Sequence, residues 1–375
     1  MSVEAATTAG IYVHVPFCIT RCGYCDFNAY AGLDGLKPRY LRALLAEASL
    51  AAPAWEDVQI ASVFLGGGTP TTMEPADLKS LLTHLRDRFM VTDDAEITTE
   101  ANPDTVDRQR LEQLRAAGFG RLSMGAQSFD PAVLRSLERA HSPDSVRRAF
   151  DAARDAGYDN VNLDLIYGAE GEGLDSWEET LCETVLLAPE HVSAYALTIE
   201  PATPLGRKVA AGEVPAPDPD LQADMFAAAC DVLASAGYVH YEVSNWAKPG
   251  YECRHNLAYW ERRPYLGLGA GAHSYRDARR WWNVRPPEEY LARVERGELP
   301  EGGAERLEPS DAYLEKVFLR LRTLEGIPAS WVDPTIAEPY LQLGLLTHDG
   351  EALVPTERGM LLLNELVLAL AANAN

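Results

Sequence analysis

Positive charge is what this 375-residue chain has least of: 33 lysines and arginines stand against 56 aspartates and glutamates, a formal net charge of −23. Recognition of a phosphate backbone needs a basic face, so the composition argues against a nucleic-acid partner and against an electrostatic anchor on anionic lipid. Long apolar runs are missing as well. No stretch approaches the roughly 18 consecutive apolar residues of a bilayer span, so no integral membrane segment is expected. The first residues do not combine a charged segment with an apolar one, as a secretory leader would. Cysteine is sparse, six in the whole chain, which is not the density of a disulfide framework. These absences point to a reducing cytoplasm, with any membrane association peripheral and made through a partner. Disorder is not expected: 47% hydrophobic residues can fill the core of one large α/β domain plus an appendage.

Half of the cysteines sit together. Tyr12-Val-His-Val-Pro-Phe-Cys-Ile-Thr-Arg-Cys-Gly-Tyr-Cys-Asp-Phe27 places Cys18, Cys22 and Cys25 in a C-x3-C-x2-C array, while Cys182, Cys230 and Cys253 are scattered. A loop with this spacing can curl around one face of a cubane 4Fe–4S cluster, each thiolate binding its own iron and one iron staying open to a small molecule. The alternative is a structural zinc loop. That would need a fourth ligand, and His14 is the nearby candidate.

Downstream, apolar periodicity and turn residues predict an alternation of helices and strands. Helices are expected at Pro38 to Ala52, Pro75 to Phe89, Val106 to Ala116, Pro131 to Leu137, Pro143 to Ala156, Ser176 to Leu187 and Leu221 to Ala236. Strands are expected at Ile60 to Leu65, Ala95 to Ala101, Arg121 to Ala126, Asn160 to Tyr167 and His191 to Thr198. Six strand–helix units imply a parallel sheet with right-handed crossovers, and they suit a partial (β/α)6 TIM-like barrel better than a doubly wound sheet, though pattern alone does not separate the two. The polar oddities favour the barrel: Cys18, Gly66 to Thr69, Glu100, Gln127 and Ser128 all fall just past strand C-termini, the rim where barrels assemble chemistry. Asp164 lies inside an apolar strand and is expected to face a polar interior. Ala202 to Pro219 reads as a long connection, Tyr238 to Val243 as a short strand, and Ser244 to Gly250 as a loop. From about residue 300 the pattern becomes helix (Ala312 to Leu324), helix (Ile336 to Leu343), a hairpin around His348-Asp349-Gly350, and helix (Thr356 to Ala372), a small winged-helix-like module. Its acidic residues argue for a structural or protein-docking role rather than DNA. The expected division is 1–240 barrel, 241–300 connecting region and 301–375 C-terminal module.

Gly66-Gly67-Gly68-Thr69-Pro70 at the end of the second strand is the next motif. Successive glycines allow close approach, and free backbone N–H and C=O groups there could bind an amino or carboxylate group. Together with C-x3-C-x2-C and Tyr24 just before the third cysteine, the chain resembles the radical S-adenosylmethionine superfamily. That resemblance implies a 4Fe–4S cluster whose open iron is chelated by S-adenosylmethionine, and one-electron cleavage to a 5′-deoxyadenosyl radical. The segments Tyr12-Val-His-Val-Pro-Phe-Cys, Glu100-Ala-Asn-Pro, Arg121-Leu-Ser-Met-Gly-Ala-Gln-Ser-Phe, Leu137-Glu-Arg-Ala-His141, Asn162-Leu-Asp-Leu-Ile-Tyr-Gly and Tyr241-Glu-Val-Ser-Asn narrow it to the oxygen-independent coproporphyrinogen III dehydrogenase group. By motif position, this resemblance implies that S-adenosylmethionine contacts Tyr12, Tyr24, Gly67, Gly68, Thr69, Glu100, Gln127, Arg139 and Asp164.

Two departures separate the chain from the porphyrinogen-oxidising branch. Phe27 stands where that branch has a further cysteine, and only 17 residues precede Cys18, where that branch has a longer extension. Cys253-Arg-His255-Asn256-Leu-Ala-Tyr259-Trp260 is similar to the H-N-x-x-Y-W motif of the HemW-type haem chaperones, where it is associated with haem. Imidazole is a natural axial ligand and aromatic rings pack on a porphyrin face, so His255 is the first ligand candidate and Cys253 the second, with Asn256, Tyr259 and Trp260 beside them. The structural alternative is a hydrogen-bonded corner that closes the active site. His273, in Gly267-Leu-Gly-Ala-Gly-Ala-His, reads as structural. The resemblance implies a protein that holds a 4Fe–4S cluster, S-adenosylmethionine and haem and passes haem to apo-haemoproteins such as respiratory enzymes. The alternatives are a coproporphyrinogen III dehydrogenase of porphyrin biosynthesis, and a zinc scaffold without redox chemistry.

Overall fold

The computed structural model describes residues 8–371. Six strands, β1 (Thr8–Val15), β2 (Gln59–Gly67), β3 (Met90–Ala101), β4 (Arg121–Gln127), β5 (Val161–Tyr167) and β6 (His191–Ala196), lie side by side in chain order, each parallel to the next. Their order follows the chain without reversal, which is the partial (β/α)6 barrel rather than a doubly wound sheet. Along each strand the side chains alternate between two faces. Ile11, Val13, Val63, Leu65, Ile97, Leu122, Met124, Leu163, Leu165 and Val192 belong to hydrophobic clusters with the helices. The other set, including Ser62, Glu96, Glu100, Arg121, Ser123, Asn162, Asp164, His191 and Ser193, is polar. Polar residues at every second position of buried strands need an interior that satisfies them, so the sequence specifies a barrel with a wet or hydrogen-bonded lumen.

The crossover helices begin where short polar side chains cap them. Asp107 accepts from the Arg110 amide at 2.7 Å, Asp130 from Ala132 at 2.6 Å and Ser142 from Ser145 at 3.2 Å. The helix Arg108–Ala117 ends at Gly118, whose φ of +107° suits glycine.

The structure departs from the sequence expectation between the sixth strand and residue 306. The connection Ala202 to Pro219 contains a helix, Pro204–Ala210, started by the Thr203 hydroxyl accepting from the Gly206 amide at 2.9 Å. The loop Ser244 to Gly250 contains a strand, Asn245–Ala247, antiparallel to β6, because Trp246 is fully buried and its ring stacks on His240 at 4.1 Å. Past the H-N-x-x-Y-W segment, Tyr265–Leu268 adds to β1 in parallel, and His273–Arg276, Arg279–Asn283 and Glu301–Arg306 continue the same sheet as antiparallel strands. The result is one twelve-stranded sheet.

The C-terminal module follows its expectation closely: helix Pro309–Arg320, helix Pro334–Gln342, and a hairpin of Leu346–Asp349 and Ala352–Pro355 joined by a third short strand, Ile327–Pro328. The expected last helix is two pieces, Glu357–Met360 and Leu363–Ala371, and its expected end at Ala372 lies outside the described residues. Val317, Leu321, Leu366 and Leu370 share a hydrophobic cluster with Trp177 and Met225 of the barrel, so the module is packed onto the barrel and not only on itself. Among the described residues no helix is long and apolar enough to cross a membrane.

The sheet extension is locked to the barrel by Glu47 of the first helix (Lys37–Ala51). Its buried carboxylate accepts from the Gly269 amide at 2.8 Å, Asn283 Nδ2 at 2.6 Å and Tyr290 Oη at 2.7 Å. Burial outweighs these three bonds and pushes its carboxyl up to about 7. The unfolded chain releases the proton near 4.5 while the folded chain keeps it, so this group subtracts stability as pH rises from about 4.5 to about 7. Denaturant unfolding should therefore show Glu47→Ala weakened by about 2–4 kcal/mol at pH 5 through its orphaned donors, with the deficit shrinking towards pH 7.5 as the wild-type penalty sets in.

Candidate functional site

The chain leaves β1 at Val15, and Phe17–Cys18 then pairs in parallel with Tyr30–Ala31, closing the cysteine segment into a loop over the barrel mouth. A turn bond from the Cys25 amide to the Cys22 carbonyl, 3.2 Å, brings the second and third thiols together. Cys18, Cys22 and Cys25 are all unbridged and half-buried. Arg139 leans on them, with Nη1 3.4 Å from Cys22 Sγ and Nη2 2.9 Å from the Gly125 carbonyl, while its Nε is buried without a partner. Burial pushes the Cys18 and Cys25 thiols up, and the Arg139 cation opposes this at Cys18. His14, the zinc candidate, is committed elsewhere: Nδ1 meets Tyr12 Oη and Nε2 meets the Asn28 carbonyl, both at 3.0 Å. Among the described residues no group of three or more His, Cys, Asp or Glu side chains is placed to hold a single metal ion. Three free thiols on one loop fit a cluster, where each binds its own iron.

The glycine run works differently from the expectation of free amides. The Gly67 amide donates to Glu100 Oε2 at 3.0 Å, Gly68 to the Val15 carbonyl at 2.8 Å and Thr69 to the Phe17 carbonyl at 2.8 Å. Its glycines are needed for closeness. A Cβ on Gly67 would strike the His14 ring, and one on Gly68 would lie 2.7 Å from the Phe17 carbonyl oxygen. The run therefore splices the cysteine loop to β2. Thr69 completes the splice, its Oγ1 3.6 Å from Cys18 Sγ.

Under the loop lies a cavity of about 420 Å³ lined by all three cysteines and by Tyr24, Gly67, Gly68, Thr69, Glu100, Gln127, Arg139 and Asp164. Of the expected S-adenosylmethionine residues only Tyr12 lies elsewhere, on a neighbouring cavity. Burial, then the nearby Asp164 carboxylate, pushes the Glu100 carboxyl up to about 8. Asp164 accepts from Ser123 Oγ and Asn162 Nδ2, both at 2.9 Å. Gln127 closes β4 at φ +64°, with a register irregularity beside it in the β4–β5 ladder, a strained backbone of the kind found where a side chain is aimed at a site. Sequence reasoning missed Ser123, Ile166 and Tyr195 on the same wall. Ile166 follows Asp164 by two and Ser123 precedes Gln127 by four on the same strands, so inward alternation was the available signal for these two, whereas Tyr195 lies on β6, where the sequence named no inward residue.

The H-N-x-x-Y-W segment forms the helix Arg254–Trp260 at the opposite, N-terminal end of the strands. Glu96 of β3 receives the Arg254 and His255 amides at 3.1 and 3.2 Å, and the Cys253 thiol at 3.5 Å. His255 is buried, with Nδ1 2.8 Å from Ser62 Oγ, Nε2 3.0 Å from Tyr259 Oη, and its ring stacked on Phe64. Both imidazole nitrogens are thus used inside the protein. Asn256 and Trp260 are partly buried on the same helix, which plugs the base of the lumen.

A family profile described as the radical SAM superfamily matches residues 12–182, and one described as the HemN C-terminal domain matches residues 307–362. The chain is 44% identical over 367 residues to a protein of Mycobacterium tuberculosis (strain CDC 1551 / Oshkosh) named heme chaperone HemW, covering 96% of this chain and 94% of the relative. The chain belongs to the HemW family. It is also 35% identical to the HemW of Escherichia coli (strain K12), over 95% of this chain and 96% of that one, and 32% identical to that of Bacillus subtilis (strain 168), over 94% and 97%. Among solved structures it superposes on the radical SAM enzyme coproporphyrinogen III oxidase (HemN) of Escherichia coli with a TM-score of 0.84 at 26% identity, covering 99% of this chain and 91% of that chain. The family brings a 4Fe–4S cluster and S-adenosylmethionine as its general properties.

The donor set fits both groups: three free thiols, a buried guanidinium with an unused Nε, and two acids over one cavity. Here a bound cluster would supply one-electron chemistry to S-adenosylmethionine. Arg139 offers a bidentate partner for a carboxylate, and Asp164 and Glu100 offer acceptors for an ammonium or ribose hydroxyls. After anaerobic reconstitution, Cys22→Ser should lose most bound iron and the broad absorption near roughly 400 nm typical of such centres. In otherwise intact reconstituted protein, Asp164→Asn should weaken S-adenosylmethionine binding by about tenfold or more in a calorimetric titration.

Proposed function

We propose that this protein is a haem carrier that holds a 4Fe–4S cluster through Cys18, Cys22 and Cys25, binds S-adenosylmethionine in the chamber below, takes up haem, and passes it to apo-haemoproteins, respiratory enzymes among them. The observation that carries this reading is likeness along nearly the whole chain to proteins named heme chaperone, at 44% identity in one case. Phe27 supports it. The residue stands where the porphyrinogen-oxidising branch has a cysteine, and its ring is 64% exposed beside the cluster chamber. A phenyl ring can neither ligate iron nor relay a proton, but it can pack on a porphyrin. In this reading S-adenosylmethionine meets Tyr24, Gly67, Gly68, Thr69, Glu100, Gln127, Arg139 and Asp164, with Tyr12 behind them. The protein works in the cytoplasm and meets a membrane only through the recipient it serves. The acidic C-terminal module is the surface offered to that recipient.

The structural likeness to coproporphyrinogen III oxidase supports a second reading, oxidative decarboxylation of coproporphyrinogen III. The two separate cleanly. Titration of the reconstituted chain with haem should give a saturable Soret shift at one haem per chain. An anaerobic incubation with reductant, S-adenosylmethionine and coproporphyrinogen III should give no decarboxylated product. Product formation without saturable haem binding would transfer the protein to the enzymatic branch.

A further inference from the structure

Resting on the haem-carrier reading, we propose that haem seats in a second cavity, behind Phe27, with His273 as the iron ligand and Arg285 facing a propionate. The cavity measures about 670 Å³, within the roughly 300–1,000 Å³ of ligand-sized pockets. It adjoins the cluster chamber: Asp26, Phe27, Gly67 and Glu100 line both. Its wall is aromatic, with Phe27, Tyr259, Tyr265 and Trp282 around it. Tyr259 and Tyr265 meet edge to face at 4.6 Å, and His273 stacks on Trp282 at 5.7 Å. Such a wall suits a flat, apolar macrocycle with a charged edge.

The ligand follows from where the eight histidines spend their nitrogens. His14, His191 and His255 use both nitrogens in hydrogen bonds; His240 has contacts at both, and His84 and His141 at one each. His273 and His348 alone have no side-chain hydrogen bond among the described residues, and His348 stands on the C-terminal hairpin, lining neither of these two cavities. His273 is exposed at the cavity wall. It is presented there by a turn that only small residues allow: Gly269 and Gly271 hold φ of +99° and +76°, and a Cβ on Gly267 would strike the His273 carbonyl. Arg285 is exposed on the same wall, and its guanidinium has no hydrogen-bond or ion-pair partner among the described residues, whereas Arg280 beside it is held by Glu305 and Glu315. A free guanidinium at the rim of an aromatic cavity matches a carboxylate.

This assignment also gives the H-N-x-x-Y-W segment a place. His255 holds Tyr259 through the Nε2 to Oη bond, and Tyr259 is cavity wall, so the motif shapes the seat without ligating.

Haem titration of the full reconstituted chain tests the placement. His273→Ala should abolish the wild-type Soret band, and added imidazole should restore it in this variant. Arg285→Glu should weaken binding about tenfold with the band position unchanged. His255→Ala, checked for fold by circular dichroism, should keep the wild-type band position. An unchanged band and affinity in His273→Ala, with saturable binding in the wild type, overturns the placement and leaves the haem-carrier reading intact. Loss of the band only in a folded His255→Ala overturns it in favour of the motif histidine. Absence of saturable binding in the wild type overturns the haem-carrier reading itself.

Discussion

Buried polar groups have to be satisfied by the chain that buries them, and in this barrel they fill the lumen. Asn162 bonds Ser123, Asp164 and His191; His191 passes the connection to Tyr241, whose hydroxyl receives the Cys253 amide. Arg121, nearly fully buried, balances Glu96 and Asp164 from the same interior. An open partial barrel cannot close such a network with six strands. The segment from Val239 to Trp260 closes it, crossing from the β6 edge to the first half of the sheet and plugging the base with a helix. The upper layer, Glu100 and Asp164, faces the cavity under the cysteine loop. The two ends of one lumen therefore differ: at the base most polar groups find partners within the chain, with Thr98 Oγ1, Arg121 Nε and Trp260 Nε1 as exceptions, whereas the other end opens into that cavity.

Legibility in the sequence tracked the strength of local signals. Five of the six core strands carry alternation plus capped helices, and their places emerge within a few residues; β1 is implied only by the position of Cys18 past its end. The cysteine spacing and the glycine run point to one chamber, and the structure brings the two motifs together around one cavity because both sit where strands end. Arg279–Asn283 and Glu301–Arg306 were invisible for a physical reason: they are short, charged and partly exposed, and they are strands because Tyr265–Leu268 offers β1 a new edge to extend. Trp246 reads as loop from sequence because one tryptophan among polar residues has no period. The glycine amides were misjudged in function although not in place, since nothing local says that the Val15 and Phe17 carbonyls come round to receive them. His255 and His273 show the same limit. Only three-dimensional bookkeeping of nitrogens reveals that the residue inside the motif is spent and the one outside it is free.

Phe27 sits at the meeting of these features. Its exposed aromatic ring stands between two chambers, on a loop whose geometry the neighbouring residues already fix through Asn28, which donates to the Ala270 and Arg285 carbonyls at 3.0 and 2.9 Å. The loop that carries the cluster and the strands that carry the second cavity are thereby one mechanical piece.

The hydrophobic core is divided. One large cluster joins β1 and β2 to the first two long helices and the sheet extension, and a second joins β4, β5 and β6 to the C-terminal module, with the seam falling near β3 and a small third cluster of Val133, Leu137, Ile166, Ala169 and Leu197 apart from both. The cluster chamber straddles that seam, taking its thiols and glycines from one side and Gln127, Arg139 and Asp164 from the other. A molecule that touches both walls acts as a rivet between two half-shells: by linkage, its binding free energy is added to the work of prying them apart. Loading the chamber and stiffening the whole shell are, for this architecture, the same event.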